Sequence, residues 1–172
     1  MKNHSSMLTQ KQCGMADWVA LVALNEAVYE GLSDKTLLRH NSKEKLASCL
    51  CEPNVTLGIW DGSMMVAAGI LYVPQTQEED YTHDLDLCGM YKAANQKLFL
   101  VREEYRGQGL QQRLIRELER IAVKRGFNLL CTTCAPNNTY SIANFEKEGY
   151  VYAKTERRYG GMIRNLYFKV LG

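Results

Sequence analysis

The chain has 172 residues, enough for one domain with a substantial buried core, and its formal net charge is only +2. So small a charge excludes a global field that would draw in nucleic acid or an anionic membrane, and any anion site must be local. The polar segment from Met1 to Cys13 lacks the apolar core of a secretion signal, and no run approaches the ~20 apolar residues that span a bilayer, so a cytoplasmic protein is expected.

The first predicted element is an amphipathic helix over residues 15–30, with Trp18, Leu21, Val22, Val28 and Tyr29 on one stripe and Gly31 at its end. A shorter helix follows Asn41, whose side chain is expected to cap it while Glu44 completes a capping box. Residues 55–60 and 64–72 read as strands joined by a hairpin at Asp61-Gly62. Residues 75–95 are polar and acidic with little periodicity, which predicts a long loop, with at most one helical turn, bordering the substrate.

A short apolar strand over residues 98–101 then runs through Arg102-Glu103-Glu104-Tyr105-Arg106-Gly107-Gln108-Gly109 into the clearest helix of the sequence. Over residues 109–125 that helix sets Leu110, Leu114, Leu118 and Ile121 on one face and Arg113, Arg116, Arg120 and Lys124 on another. Burying the four aliphatics is worth ~1.5–3 kcal/mol each, enough to dock the helix on a sheet. Gly126 stops it, residues 127–134 return as a strand, and Pro136 breaks that strand. Asn138 can cap a helix to Glu148, ended by Gly149; residues 150–154 and 163–171 form the last strands, joined through Arg157-Arg158-Tyr159-Gly160-Gly161.

Six cysteines in a chain without a secretory signal read as reduced thiols. Cys131 and Cys134 have C-x-x-C spacing, but no second ligand pair stands at zinc spacing, and His4, His40 and His83 all lie in the first half. Small buried hydrophobes are expected there rather than a metal or redox centre.

The chemistry concentrates at Arg106 to Gln111. The first turn of a helix leaves backbone N–H groups unpaired and carries the positive end of the helix dipole, so a strand that enters a helix through glycines makes an anion site. Gly107 and Gly109 let an anion approach the backbone and permit positive φ, while Arg106, with Arg113 as a second candidate, adds charge. Glycines at such a turn also serve geometry alone. The phosphate signatures G-x-x-x-x-G-K-[ST] and G-x-G-x-x-G are both absent.

The stretch Leu98 to Leu110 resembles motif A of the GNAT superfamily of N-acetyltransferases, whose signature is [Q/R]-x-x-G-x-[G/A]: Arg106 and Gly109 match, and Gln111 stands where glycine or alanine is usual. Pro136-Asn137-Asn138-Thr139-Tyr140-Ser141, followed by Phe145-Glu146-Lys147-Glu148-Gly149-Tyr150, resembles motif B. The order of elements agrees over about residues 5–171. The resemblance implies an α/β (α+β) fold: a mixed, mostly antiparallel sheet of six to seven strands, flanked by about four helices, with a splayed central strand pair.

It further implies that acetyl-CoA is the cosubstrate, its pantetheine pairing with the backbone of Leu100 and Val101 and its pyrophosphate resting on the N–H groups of Arg106, Gly107, Gln108, Gly109, Leu110 and Gln111. Asn138 would contact the pantetheine arm, with Ser141 and Phe145 nearby, and the N–H near Val101 would polarise the thioester carbonyl. An amine of a small molecule or peptide would attack directly, with no metal, nucleic acid or membrane involved; homodimers are frequent in the family. Glu103 and Glu104 are the carboxylates nearest in sequence to serve as base, and both also fit a solvated surface. Phe145 occupies the position where the family often has a tyrosine as general acid, so Tyr140, Tyr150 and Tyr152 are the replacements to consider, each more readily read as packing or a strand-surface aromatic. Arg157, Arg158 and Arg164, if they reach the acceptor, would favour one with a carboxylate or phosphate. The alternative to an enzyme is a module that binds acyl-CoA with little turnover.

Overall fold

The computed structural model describes residues 7–172; residues 1–6, with His4 among them, lie outside the described residues. One seven-stranded sheet runs in the order β1-β2-β3-β4-β5-β7-β6, from strands Thr9–Cys13 (β1), Val55–Asp61 (β2), Met64–Tyr72 (β3), Ala93–Val101 (β4), Leu129–Cys134 (β5), Val151–Arg158 (β6) and Met162–Val170 (β7). Every neighbouring pair is antiparallel except β4 and β5. Four α-helices among the described residues flank it: Trp18–Gly31 (α1), Lys43–Cys49 (α2), Leu110–Lys124 (α3) and Thr139–Lys147 (α4). The architecture is the mixed, mostly antiparallel one expected.

Alternation along the strands divides the core between the two sheet faces. On one face Leu57, Ile59, Ala67 and Val101 pack against Leu110, Leu114 and Leu118 of α3 and Phe145 of α4. On the other, Ala68, Ile70, Leu98 and Leu100 pack against Leu21 and Leu24 of α1 and Leu46 of α2. Gly69 is what lets α3 lie close: a Cβ there would come within 2.8 Å of the Phe99 ring and 3.2 Å of the Leu114 Cβ.

Several boundaries differ from the sequence expectations. Strand β1 was unforeseen because only Cys13 of its five residues is buried; an edge strand held by main-chain pairing to β2 shows no apolar alternation. Helix α2 is capped by Ser42, whose Oγ accepts from Lys45 N at 3.1 Å, while Asn41 Nδ2 donates instead to Arg39 O, so Glu44 is one position short of a capping box. The β2–β3 turn residues are Gly62, with φ of 58°, and Ser63, one step beyond Asp61-Gly62. Strand β4 begins at Ala93 rather than Leu98. Its first half was unreadable because Asn95 and Gln96 are buried through side-chain hydrogen bonds, to Glu79 O and Ile115 O, and not through apolar character. Strand β6 runs on to Arg158, past the expected Lys154.

Candidate active site

The site grows from a defect in the sheet. Strands β4 and β5 pair at only three positions, Ala93 with Leu129, Ala94 with Leu130 and Asn95 with Cys131. Immediately beyond, Gln96 opposes Leu71 and Leu98 opposes Ile70, leaving Lys97 as the extra residue of a β-bulge. A bulge bends its strand and increases the local twist, and here it turns β4 away from β5. The last link across the opening gap is a side chain: Thr132 Oγ1 donates to Gln96 O at 2.8 Å.

The rest of β4 therefore offers an unpaired backbone edge. Arg102 N donates to Val66 O, so alternation along the antiparallel pair turns the Leu100 main chain toward β3 and the main chains of Phe99 and Val101 toward the gap. The Leu100 side chain lies in the core on the α1/α2 face.

The strand ends at the glycine turn. Glu103–Tyr105 form one 3-10 turn, pinned by Tyr105 Oη donating to Asp61 Oδ2 at 2.5 Å, and Arg106 is extended. Gly107 and Gly109 have φ of 76° and 73°, the left-handed region that favours glycine, and a Cβ at either would meet nothing within 4 Å. Arg106, Gly107, Gln108 and Gly109 are exposed. Intrahelical bonding begins only where Arg113 N donates to Gly109 O, and no side chain caps α3. The N–H groups of the first turn are thus turned outward with no protein acceptor among the described residues, as an anion site requires.

Gln111, buried where the family usually has a small residue, ties α3 to α4: its Nε2 donates to Ser141 Oγ at 2.9 Å and its Oε1 accepts from Asn144 Nδ2 at 3.1 Å. Asn138 Oδ1 accepts from Ser141 N at 3.2 Å and caps α4 as expected. Phe145 is 1% exposed and stands edge-on to Phe99 (5.5 Å) and Tyr150 (5.0 Å).

The splay opens a cleft of about 290 Å³. That is near the lower end of small-molecule sites. Phe99, Asn138, Ser141 and Phe145 line its α3/α4 side; Lys45, Glu79, Lys97, Tyr159 and Arg164 line the other. None of the five residues considered for proton transfer, Glu103, Glu104, Tyr140, Tyr150 and Tyr152, lines it. Glu103 is exposed on the 3-10 turn, and Tyr140, 47% exposed, faces solvent from the start of α4. Tyr150 is 3% exposed behind Phe145, its hydroxyl accepting from Gln96 Nε2 at 3.1 Å, and burial pushes its phenol far above the ordinary range. Tyr152 is exposed on β6.

The cleft instead contains hydroxyls that sequence reasoning passed over. Tyr159 Oη, on the β6–β7 turn, lies 2.7 Å from Tyr81 Oη and 2.9 Å from Thr133 Oγ1. Burial, then the neighbouring Tyr159, push the Tyr81 phenol upward, so it stays protonated and able to donate. Neither tyrosine carried a local signal: Tyr81 sits in a polar loop, and Tyr159 is a non-glycine residue with φ of 52° beside two glycines. Of the arginines near the final turn only Arg164 lines the cleft; Arg158 is held by Asp84 and Glu156, and Arg157 is exposed. Cys131 and Cys134 lie on opposite faces of β5, one under the residue 75–92 loop and one toward α3 and α4, so the C-x-x-C spacing does not make a thiol pair. Among the described residues no helix is long and apolar enough to cross a membrane.

A strand pair splayed at a bulge, leading into an exposed glycine turn at a helix start, defines an acetyltransferase-type fold. The model of the acetyltransferase (GNAT) family matches residues 26–150, and the chain belongs to that family. Similar crystal structures include the ribosomal-protein-S18-alanine N-acetyltransferase of Escherichia coli (TM-score 0.73, 19% identity, covering 96% of this chain and 95% of that one). A GNAT-family acetyltransferase from Streptococcus pneumoniae gives 0.74 at 16% identity, covering 96% and 99%. A structure from Salmonella typhimurium that holds acetyl-CoA gives 0.70 at 14% identity, covering 96% and 94%. No match is found among curated protein sequences.

Proposed function

We propose that the protein transfers an acetyl group from acetyl-CoA to a primary amine of a small molecule or peptide by direct attack. The observation that carries this reading is the continuity of the splayed β4 edge with the outward-facing amides of the Gly107–Gly109 turn. Together they form one track, unpaired backbone for a pantetheine arm and then N–H groups for a diphosphate. The open space around both glycines fits a backbone-bound anion, and Arg106 and Arg113 stand exposed beside it.

When bound, acetyl-CoA supplies the activated acyl group: the amine nitrogen forms a bond to the thioester carbon, the C–S bond breaks, and the thiolate takes up a proton. The amides of Phe99 and Val101, facing the gap, donate in this reading to the carbonyl oxygen as charge develops on it. Phe99 and Phe145 provide the dry wall against the acyl end. An alkyl ammonium of pKa ~10.4 is free base in only about one part in 10³ at neutral pH. The linked hydroxyls of Thr133, Tyr159 and Tyr81 give its proton a path along the cleft wall. With phenylalanine at position 145 the leaving thiol has no phenol on α4 beside it; a thiol of pKa ~8.5 leaves acceptably without one.

Calorimetry with acetyl-CoA followed by chromatographic measurement of coenzyme A released across a panel of amines tests the proposal. Saturable binding with amine-dependent release supports it. Binding with no release on a broad panel indicates an acyl-CoA-binding module, the reading that Phe145 favours, and absence of binding refutes both.

A further inference from the structure

The acceptor side of the cleft has a charge imbalance. Four cationic side chains line it, Arg39, Lys45, Lys97 and Arg164, against two carboxylates, Glu78 and Glu79. Glu79 is already engaged, accepting from Gln75 N at 2.9 Å and lying 3.3 Å from Lys45 Nζ, while Glu78 is exposed at the outer wall.

The remaining three cations have no carboxylate partner among the described residues. Arg164 is only 5% exposed, yet its guanidinium donates to the carbonyls of Ile163 (2.9 Å) and Thr36 (2.8 Å) and to Met162 S, and forms no ion pair. Buried charges are ordinarily paired. Lys97, half-buried at the bulge, has its ammonium over the Tyr72 ring at 4.6 Å, and that ring already carries Lys45 at 4.4 Å. Arg39 stacks on Tyr159 at 4.1 Å, beside the hydroxyl cluster. Burial, with the charges of Lys45 and Arg39, depresses the Lys97 ammonium below its usual range, and Arg39 also bears on Arg164. Arg39 thus acts on both Lys97 and Arg164, and Glu79 and Asp34 offset only part of that repulsion from a distance.

We infer that Arg39, Lys97 and Arg164 form a carboxylate subsite, and that the acceptor is a small amine bearing a carboxylate. An anion between them would relieve a repulsion the fold otherwise sustains, and would set the amine toward the splay. The guanidinium of Arg39 suits such a group because its planar donors match a carboxylate in pairs. This inference rests on the proposed acetyl transfer and names its acceptor class.

The test measures coenzyme A release with L-phenylalanine, L-methionine, L-aspartate and β-alanine, each against its carboxamide and the matching carboxylate-free amine. The wild-type chain is compared with Arg39→Gln, Arg39→Lys and Lys97→Met. The expected result is a preference of at least about tenfold in kcat/KM for a carboxylate over its amide, since a charge-assisted pair contributes about one power of ten or more. Arg39→Gln and Lys97→Met bring that ratio toward unity, mainly through KM, and Arg39→Lys restores part of it. Equal turnover of amides, turnover of carboxylate-free amines alone, or a preference that survives both substitutions overturns the inference and leaves acetyl transfer standing. Acetyl-CoA binding with no release from any amine overturns both.

Discussion

Replacing Gly109 with alanine separates the anion-binding role of the turn from its structural one. Gly109 sits at φ of 73° immediately before α3, and a Cβ there would touch nothing within 4 Å. The cost to the fold is therefore backbone strain alone, about 1–2 kcal/mol for an L-residue in the left-handed region. For a chain of this size that lowers Tm by roughly 2–4 °C per kcal/mol. Acetyl-CoA affinity is expected to fall further than strain can account for, because the new methyl and any rotation of the turn disturb N–H groups aimed at a diphosphate. Hydrogen bonds to a charged group are worth about 1.5–3 kcal/mol each, so losing one raises Kd by at least about tenfold. Calorimetry below Tm measures the affinity, and thermal denaturation without ligand measures the fold. A Tm lowered as expected with Kd unchanged would show that this turn does not hold the diphosphate.

Lys97→Met should stabilise the protein at neutral pH. The folded pKa of Lys97 lies below its unfolded value of ~10.4, so the charge is a cost in the fold, and wild-type stability rises as pH climbs from the folded pKa toward the unfolded one. Urea denaturation between neutral and alkaline pH should show the variant more stable at the neutral end, with a shallower rise; lower stability there would contradict the burial argument. Tyr150→Phe should lower stability by about 0.5–1.5 kcal/mol through its lost bond with Gln96 and leave kcat unchanged; a large kcat loss would return Tyr150 to the chemistry. Phe145→Ala should cost about 3–5 kcal/mol, read by denaturant unfolding, because it empties the space between Phe99 and Tyr150. Thiol titration of the native protein should find Cys51 and Cys88 reactive. Cys131 and Cys134, their thiols pushed by burial to about 12 and about 11, should react only on unfolding.

The residues that announce themselves in the sequence are those whose role is local. Arg106 to Gly109 feeding a helix with an aliphatic face specifies a strand-turn-helix by spacing alone, and Asn138 before α4 specifies its own cap. Positive φ, helix periodicity and capping are properties of a few consecutive residues, so the glycine turn was legible without a partner strand.

The cleft was not legible, because tertiary packing decided it. Lys97 becomes a bulge only when β3 fixes the register on either side of it, and the splay exists only because β5 stops pairing at that point. Tyr81 and Tyr159, 78 residues apart, acquire meaning when their hydroxyls meet at 2.7 Å. Arg39 and Arg164 are ordinary surface residue types until a loop and a strand distant in the chain set both at one cleft. Local backbone preference therefore determined the exposed glycine turn, whereas long-range register and burial determined which side chains line the cleft.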